Sequence, residues 1–202
     1  MALVVRDVHE HELDSILALN NGAGRSIAPL DMATLRGLFE RACHFRLAEL
    51  DGQIAGFLIA LRESDDEASP RFATLRRLYP AFVFIDRVVV APPYRRHGLG
   101  RVFYAAVTSY AEARVPVLTC EVRLEPRDDV AFLFHGSRGF QEVDQRVLAT
   151  GQRVAVLAKP LDCYAFIRKT WLEGATHGLP DVPWLAERER PQPPAELRGT
   201  GT

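Results

Sequence analysis

The hydrophobic pattern divides the chain into short alternating runs and longer stretches of helical period. Leu3 to Val8 alternates as a strand, and His9 to Asn20 follows with Leu13, Ile16 and Leu17 on one side of a helix, closed by Asn21-Gly22. Asp31 is placed to cap a second helix running to about Ala42, with Leu35, Leu38 and Phe39 inward. His44–Leu50 and Gln53–Leu61 read as two strands joined by Asp51-Gly52, a strong hairpin signal. Phe82 to Val90 is a dense apolar run that only Asp86 and Arg87 interrupt, as expected of a strand covered on both faces. Pro92-Pro93 stops it, and a helix begins near Leu99 with Val102, Phe103, Ala106 and Tyr110 on one side. A strand over Val115–Leu124, a helix capped by Asp128 or Asp129 and reaching Ser137, and two strands around Thr150-Gly151 complete the domain.

Two stretches fall outside this pattern. Arg62 to Pro80 is a long connection, acidic from Glu63 to Glu67 and with a short helix expected at Ser69-Pro70; it reads as a lid or as a solvated excursion. After Pro160 a short helix is expected over Tyr164–Leu172, and the Pro-, Arg- and Glu-rich segment from Pro183 onward is expected to be disordered. The organisation is therefore a domain over residues 1–160 and an extension over 161–202. The strand–helix–strand unit from Phe82 to Leu124 calls for a parallel pair with a right-handed crossover, while the hairpins make the sheet mixed.

Composition narrows the class. With 25 basic and 26 acidic residues, net charge -1, the chain carries no electrostatic footprint for nucleic acid. Cys43, Cys120 and Cys163 have no zinc-like spacing, so free thiols, no metal and a reducing, cytoplasmic setting are expected. The N-terminus has no signal-peptide pattern and no apolar run is long enough to span a membrane.

The candidate chemistry lies in Arg95-Arg96-His97-Gly98-Leu99-Gly100-Arg101, between the central strand and its helix. Glycines let the backbone approach a ligand, a helix start presents free N–H groups, and arginines bond phosphate. A nucleotide P-loop is excluded because Arg101-Val102 stands where Lys-Ser or Lys-Thr is needed. A dinucleotide fingerprint fails because Phe103 occupies the third glycine position and seven residues, Ala91 to His97, intervene after the strand.

The stretch Val88 to Gly100 resembles the acetyl-CoA-binding segment of the GNAT superfamily of N-acetyltransferases, whose pattern is Arg or Gln, two residues, Gly, one residue, Gly or Ala. A second resemblance follows in order: Glu121-Val122-Arg123, then Ala131-Phe132-Leu133-Phe134-His135 and Gly139-Phe140. Together they cover about Leu3 to Pro160. The resemblance implies an α/β fold with a mixed, mostly antiparallel sheet of about seven strands, a parallel splayed pair, and helices on both faces. It implies acetyl-CoA as co-substrate, with Val88, Val89 and Val90 along its pantetheine arm. One of their N–H groups would meet the thioester oxygen. Arg95, Arg96, His97, Gly98, Leu99, Gly100 and Arg101 would wrap the pyrophosphate. Two positions depart from the family: Asp128 stands where Asn is usual, and His135 where Tyr is usual. His135 is either a proton donor to the leaving thiolate or a hydrogen-bonded spacer.

Attack on a thioester requires a neutral amine, and alkyl ammonium groups titrate near ~10, so a base is expected. Alternation puts Glu121 on the polar face of its strand, and Asp86 interrupts an apolar strand just before the cofactor segment. Either carboxylate can serve. The acceptor is expected to be a primary amine of a small molecule or peptide, acetylated directly, since Cys120 lies on the apolar face of its strand. The alternative is a non-catalytic acyl-CoA-binding sensor. A homodimer is compatible with the late strands, and the acidic run 63–67 is a possible attractor for a cationic amine.

Overall fold

A computed structural model describes residues 2–24, 27–66, 69–174 and 178–191. Seven strands form one sheet: β1 (Leu3–Asp7), β2 (His44–Leu50), β3 (Gln53–Arg62), β4 (Val83–Val90), β5 (Val117–Arg123), β6 (Gln141–Val147) and β7 (Arg153–Pro160). Their order is β1-β2-β3-β4-β5-β7-β6. Only β4 and β5 run parallel; every other neighbouring pair is antiparallel. This is the α/β arrangement expected from the sequence.

Each face of the sheet has its own core, and strand alternation sorts the side chains between them. On one face Phe45, Phe57, Ile59 and Phe84 pack with α1 (Leu13–Asn21), α2 (Met32–Arg41) and α3 (Pro70–Leu78), through Ile16, Leu35 and Phe72. On the other, Leu58, Ile85, Leu118 and Leu157 pack with α4 (Leu99–Glu112) through Phe103, Val107 and Tyr110. α5 (Asp129–Gly136) lies on this second face through Ala131 and Phe134. The buried stripe of α4 is Leu99, Phe103, Tyr104, Val107, Tyr110 and Ala111, so Val102 and Ala106, expected inside, sit at its margin. A stripe of 3.6-residue period drifts around the helix, and a run of small and apolar residues conceals which edge of it is inside.

The first helix starts later than the pattern suggests. Glu10–Glu12 is a single 3-10 turn, because Glu12 turns back to accept from His9 N–H at 2.8 Å and to pair with Arg6 at 2.7 Å. The long connection is packed rather than mobile along α3: Phe72 and Leu75 are each 1% exposed, and Phe72 meets Phe82 and Phe84 edge-to-face. Its acidic run serves the fold. Glu63 accepts from Phe82 N–H at 3.2 Å, and Asp65 accepts from Arg62 N–H at 2.7 Å and pairs with Arg190 at 3.0 Å. Glu67 lies outside the described residues.

The C-terminal segment departs most from expectation. A short helix α6 (Cys163–Ile167) continues as a wider turn through Leu172, and residues 183–191, expected to be disordered, lie against the domain. Arg114 of α4 binds Glu187 at 2.6 Å and the Leu185 carbonyl, and Tyr110 donates to Glu187 at 2.9 Å. Arg188 is 6% exposed, donates to the Phe39 and Ala42 carbonyls, and lies over the Phe39 ring. Composition alone reads these residues as solvated; buried carbonyls at the end of α2 are what they satisfy. Residues 192–202 lie outside the described residues.

Candidate active site

The site begins where β4 and β5 part. Their parallel pairing runs through Val83–Leu118, Phe84–Thr119 and Ile85–Cys120 and goes no further. Beyond it β4 stays paired to β3 on one side only, from Val88–Leu58 to Val90–Gly56. The edge of β4 facing β5 therefore has no strand partner at Val88, Val89 and Val90, and its backbone groups are left for a ligand. A cleft of about 1240 Å³ opens there, lined by these valines, by Ile85, Asp86 and Arg87, by the glycine turn, and by Cys120 to Arg123. The first turn of α4 and the inner side of α5 close it, through Tyr104, Asp128, Ala131, Phe134 and His135.

A β-bulge sets the direction of the strand's side chains. Ile59 faces Arg87 while the next residue, Ala60, faces Ile85, so Asp86 is the extra residue on β4. Neighbouring strand residues normally point to opposite faces. Here the bulge puts Asp86 and Arg87 on the α1–α3 face together, close enough to pair at 2.7 Å.

Asp86 and Glu121, the two carboxylates singled out from sequence, come together on this face in one ionic cluster. Arg71 of α3 reaches both, at 3.1 Å from Asp86 and 3.2 Å from Glu121, and spans the parting of the strands. Arg146 of β6 also pairs with Glu121, and Arg87 donates to Asn20 at 2.9 Å and to the Ala28 carbonyl at 3.3 Å. Both carboxylate side chains are 8% exposed, so the pairs form in a partly desolvated setting. Arg71 and Arg146 carried no sequence signal: one sits in an irregular connection, the other on a strand whose polar residues read as solvent-facing.

The glycine turn lies on the α4–α5 side of the parting. Gly98 has φ 86° and Arg96 φ 68°, both in the left-handed region, which turns this stretch of backbone toward the cleft. A Cβ on Gly100 would lie 3.2 Å from the Phe134 ring, so glycine lets α5 close over the helix start. Among the described residues the N–H groups of Arg96 to Gly100 donate to no protein acceptor. They point the positive end of the α4 dipole at the cleft, a fit for the phosphates of acetyl-CoA. Arg95 behaves differently from the rest: it turns back to the Val90 and Ala23 carbonyls at 3.0 and 3.3 Å. Arg96, His97 and Arg101 are exposed. Arg138, not anticipated, lines the cleft with its buried Nε lacking a partner among the described residues.

His135 is 7% exposed and both its ring nitrogens are engaged. Nδ1 lies 2.7 Å from the Ala131 carbonyl, which can only accept, so Nδ1 carries the hydrogen. Nε2 then accepts from the Tyr104 hydroxyl at 2.6 Å. Burial draws the imidazole below its usual range and pushes the Tyr104 hydroxyl well above its own. Cys120, fully covered on the α4–α5 face, has its thiol raised well above the usual range by burial and, secondarily, by Glu121. Asp128 caps α5, accepting from Ala131 N–H at 3.0 Å. His44 is 4% exposed beside Tyr110, and burial pushes it down to about 3 with help from Arg46, Arg114 and Arg188.

Solved structures share this fold. The ribosomal-protein-S18-alanine N-acetyltransferase of Escherichia coli superposes with a TM-score of 0.60 at 20% identity, over 79% of this chain and 94% of its own. A ribosomal-protein-alanine N-acetyltransferase from Brucella melitensis gives 0.59 at 22% identity, over 78% and 99%. A putative acetyltransferase from Salmonella typhimurium with acetyl-CoA bound gives 0.59 at 17%, over 80% and 95%. At these identities the likeness is one of fold. No curated protein matches the sequence. The profile of the acetyltransferase (GNAT) family matches residues 11–140, more than half of the chain. The parted strands, the glycine turn and that match agree, and the chain belongs to the GNAT family of acetyl-CoA-dependent N-acetyltransferases.

Proposed function

We propose that this protein acetylates a primary amine of a small molecule or peptide, taking the acetyl group directly from acetyl-CoA. The observation that carries this reading is the opening of β4 from β5 after Ile85–Cys120, with a phosphate-suited turn on one side and Asp86 and Glu121 on the other. Bound acetyl-CoA supplies an activated acetyl group as a thioester. Val88, Val89 and Val90 would hold its arm by their free backbone edge. Arg96, His97, Gly98, Leu99, Gly100 and Arg101 would hold its pyrophosphate, and Arg95 would brace the turn from behind rather than bind phosphate itself.

In the transfer a carbon–nitrogen bond forms as the carbon–sulfur bond breaks. The amine must first lose the proton of its ammonium form and later one more, while the departing sulfur gains one. Glu121 is the proton acceptor in this reading, directly or through a water, with Asp86 beside it fixing Arg71 and Arg87. Arg71 and Arg146 orient the Glu121 carboxylate. His135 acts as a spacer that orders α5 against α4, since its bound hydrogen and its lone pair are both committed. Cys120 has no part as a nucleophile, because its buried thiol stays protonated.

A thiol-release assay with acetyl-CoA over a panel of amines tests the proposal, with Glu121→Gln beside the wild type. Turnover that the substitution lowers by about 10²–10⁴-fold is expected of a lost general base. CoA binding without turnover on any amine would refute the transferase reading.

A further inference from the structure

The sheet face that carries Asp86 and Glu121 also carries a cation with no acid to hold among the described residues. Arg123 lies two residues beyond Glu121 on β5, on the same face and about 7 Å further along the strand. It is half-buried and lines the cleft. Arg71, Arg87 and Arg146 each grip a carboxylate; Arg123 grips none among the described residues. Three guanidinium groups already face the two carboxylates, and Arg123 adds a fourth positive charge. A partly desolvated cation without a counter-ion is costly, so an anion is what this face lacks.

The phosphates of the cofactor do not fill that need. Their turn and helix start lie on the α4–α5 side, where Leu99 and Phe103 pack, whereas Arg123 shares its face with Val117, packed beneath α1–α3. The anion must arrive with the other substrate. One unpaired guanidinium balances one negative charge, and its planar fork matches a carboxylate through two parallel hydrogen bonds.

Resting on the acetyltransferase reading above, we propose that the acceptor is an amine that also bears a carboxylate, an amino acid or a close relative, and that Arg123 receives that carboxylate. The amine would then face Asp86 and Glu121 while the acid end is held further along β5.

Equilibrium binding of acetylated products to the CoA-saturated protein tests this without depending on turnover. N-acetyl amino acids, the matching N-acetyl amino-acid amides and the matching phosphonates serve as probes. The acids are expected to bind at least tenfold tighter than the amides and tighter than the phosphonates. In Arg123→Gln that preference should vanish, and in Arg123→Lys it should be partly kept. Amides binding as well as acids, a preference for phosphonates, or full selectivity in Arg123→Gln would each overturn the proposal. Acetylation of free amino acids and of their amides, followed as kcat/KM, separates the two readings. Equal turnover on both would overturn the carboxylate subsite and leave the acetyltransferase intact. A tenfold carboxylate preference in binding with no turnover on any amine of the panel would uphold the subsite and overturn the acetyltransferase.

Discussion

Arg71 Nε lies 3.2 Å from Glu121 Oε2, and the same guanidinium lies 3.1 Å from Asp86, so one side chain of α3 ties together the two strands whose separation makes the cleft. Strand pairing ends at Ile85–Cys120, and the next link between β4 and β5 is made by side-chain charge. Arg71→Met keeps an unbranched side chain and removes the guanidinium, and with it both ion pairs and the contact over the Phe84 ring. It is expected to lower kcat by about tenfold or more, with a smaller effect on the KM for acetyl-CoA, because the carboxylates lose their shared anchor on the acceptor side. Steady-state kinetics with both substrates varied would show the split; an unchanged kcat would remove Arg71 from the site.

Tyr104 and His135 form a closed pair inside the domain. Tyr104→Phe leaves Nε2 of His135 buried without a donor, which is expected to cost roughly 1–3 kcal/mol of stability. His135→Phe is expected to keep kcat within about tenfold and leave the alkaline limb of its pH profile in place. A loss of 10²-fold or more with an altered limb would instead make the imidazole a proton donor.

The turn at Gly98 needs a left-handed backbone and has open space around it. Gly98→Ala therefore meets no clash and carries only the dihedral cost, about 1–2 kcal/mol. Calorimetric titration with CoA should show affinity reduced about tenfold, because the strain falls on the segment that would contact phosphate. Gly100→Val differs in kind: its first added atom would meet Phe134 at 3.2 Å, so melting temperature should fall as well.

Two histidines link stability to pH. His135 and His44 are both buried with folded-state values below the ordinary histidine value, His44 down to about 3. The unfolded chain therefore binds protons first as pH falls below ~6.5. Their contribution is complete above that pH and is lost on acidification, at up to ~1.4 kcal/mol per pH unit for each histidine. Denaturant titrations at pH 7.5, 6.5 and 5.5 should show the loss. His44→Gln should flatten it, and a slope unchanged by the substitution would sink the assignment.

Arg188→Ala strips two donors from the carbonyls that end α2 and one cation from the Phe39 ring. About 2–3 kcal/mol is expected, which for a chain of this size lowers the melting temperature by roughly 4–12 °C. A melting curve that does not move would mean that residues 183–191 add nothing to the domain's stability.

The strands and helices were legible because each satisfies its period on its own: Leu35, Leu38 and Phe39 mark one face of α2 whatever packs there. The glycine turn before α4 was legible because glycine, arginine and a helix start stand contiguous in the sequence. The ionic cluster on the α1–α3 face could not be read this way. Arg71, Asp86, Glu121 and Arg146 come from α3, β4, β5 and β6, and nothing local in any of those segments announces the others. Arg188 was hidden for a related reason. Its partners are backbone carbonyls of residues 39 and 42, and a carbonyl in want of a donor leaves no trace in composition.

The extra residue at Asp86 works as a change of frame. Upstream of it Phe84 looks to the α1–α3 side and Ile85 to the α4–α5 side; downstream the parity is inverted, so Arg87 and Val89 look to the first and Val88 and Val90 to the second. Pairing that residue as an ordinary member of the ladder, instead of bulging it, would carry Arg87 through the sheet to the α4–α5 side and turn Val89 out of its core. The two faces of the sheet at the cleft are thus phased against each other by a single inserted position.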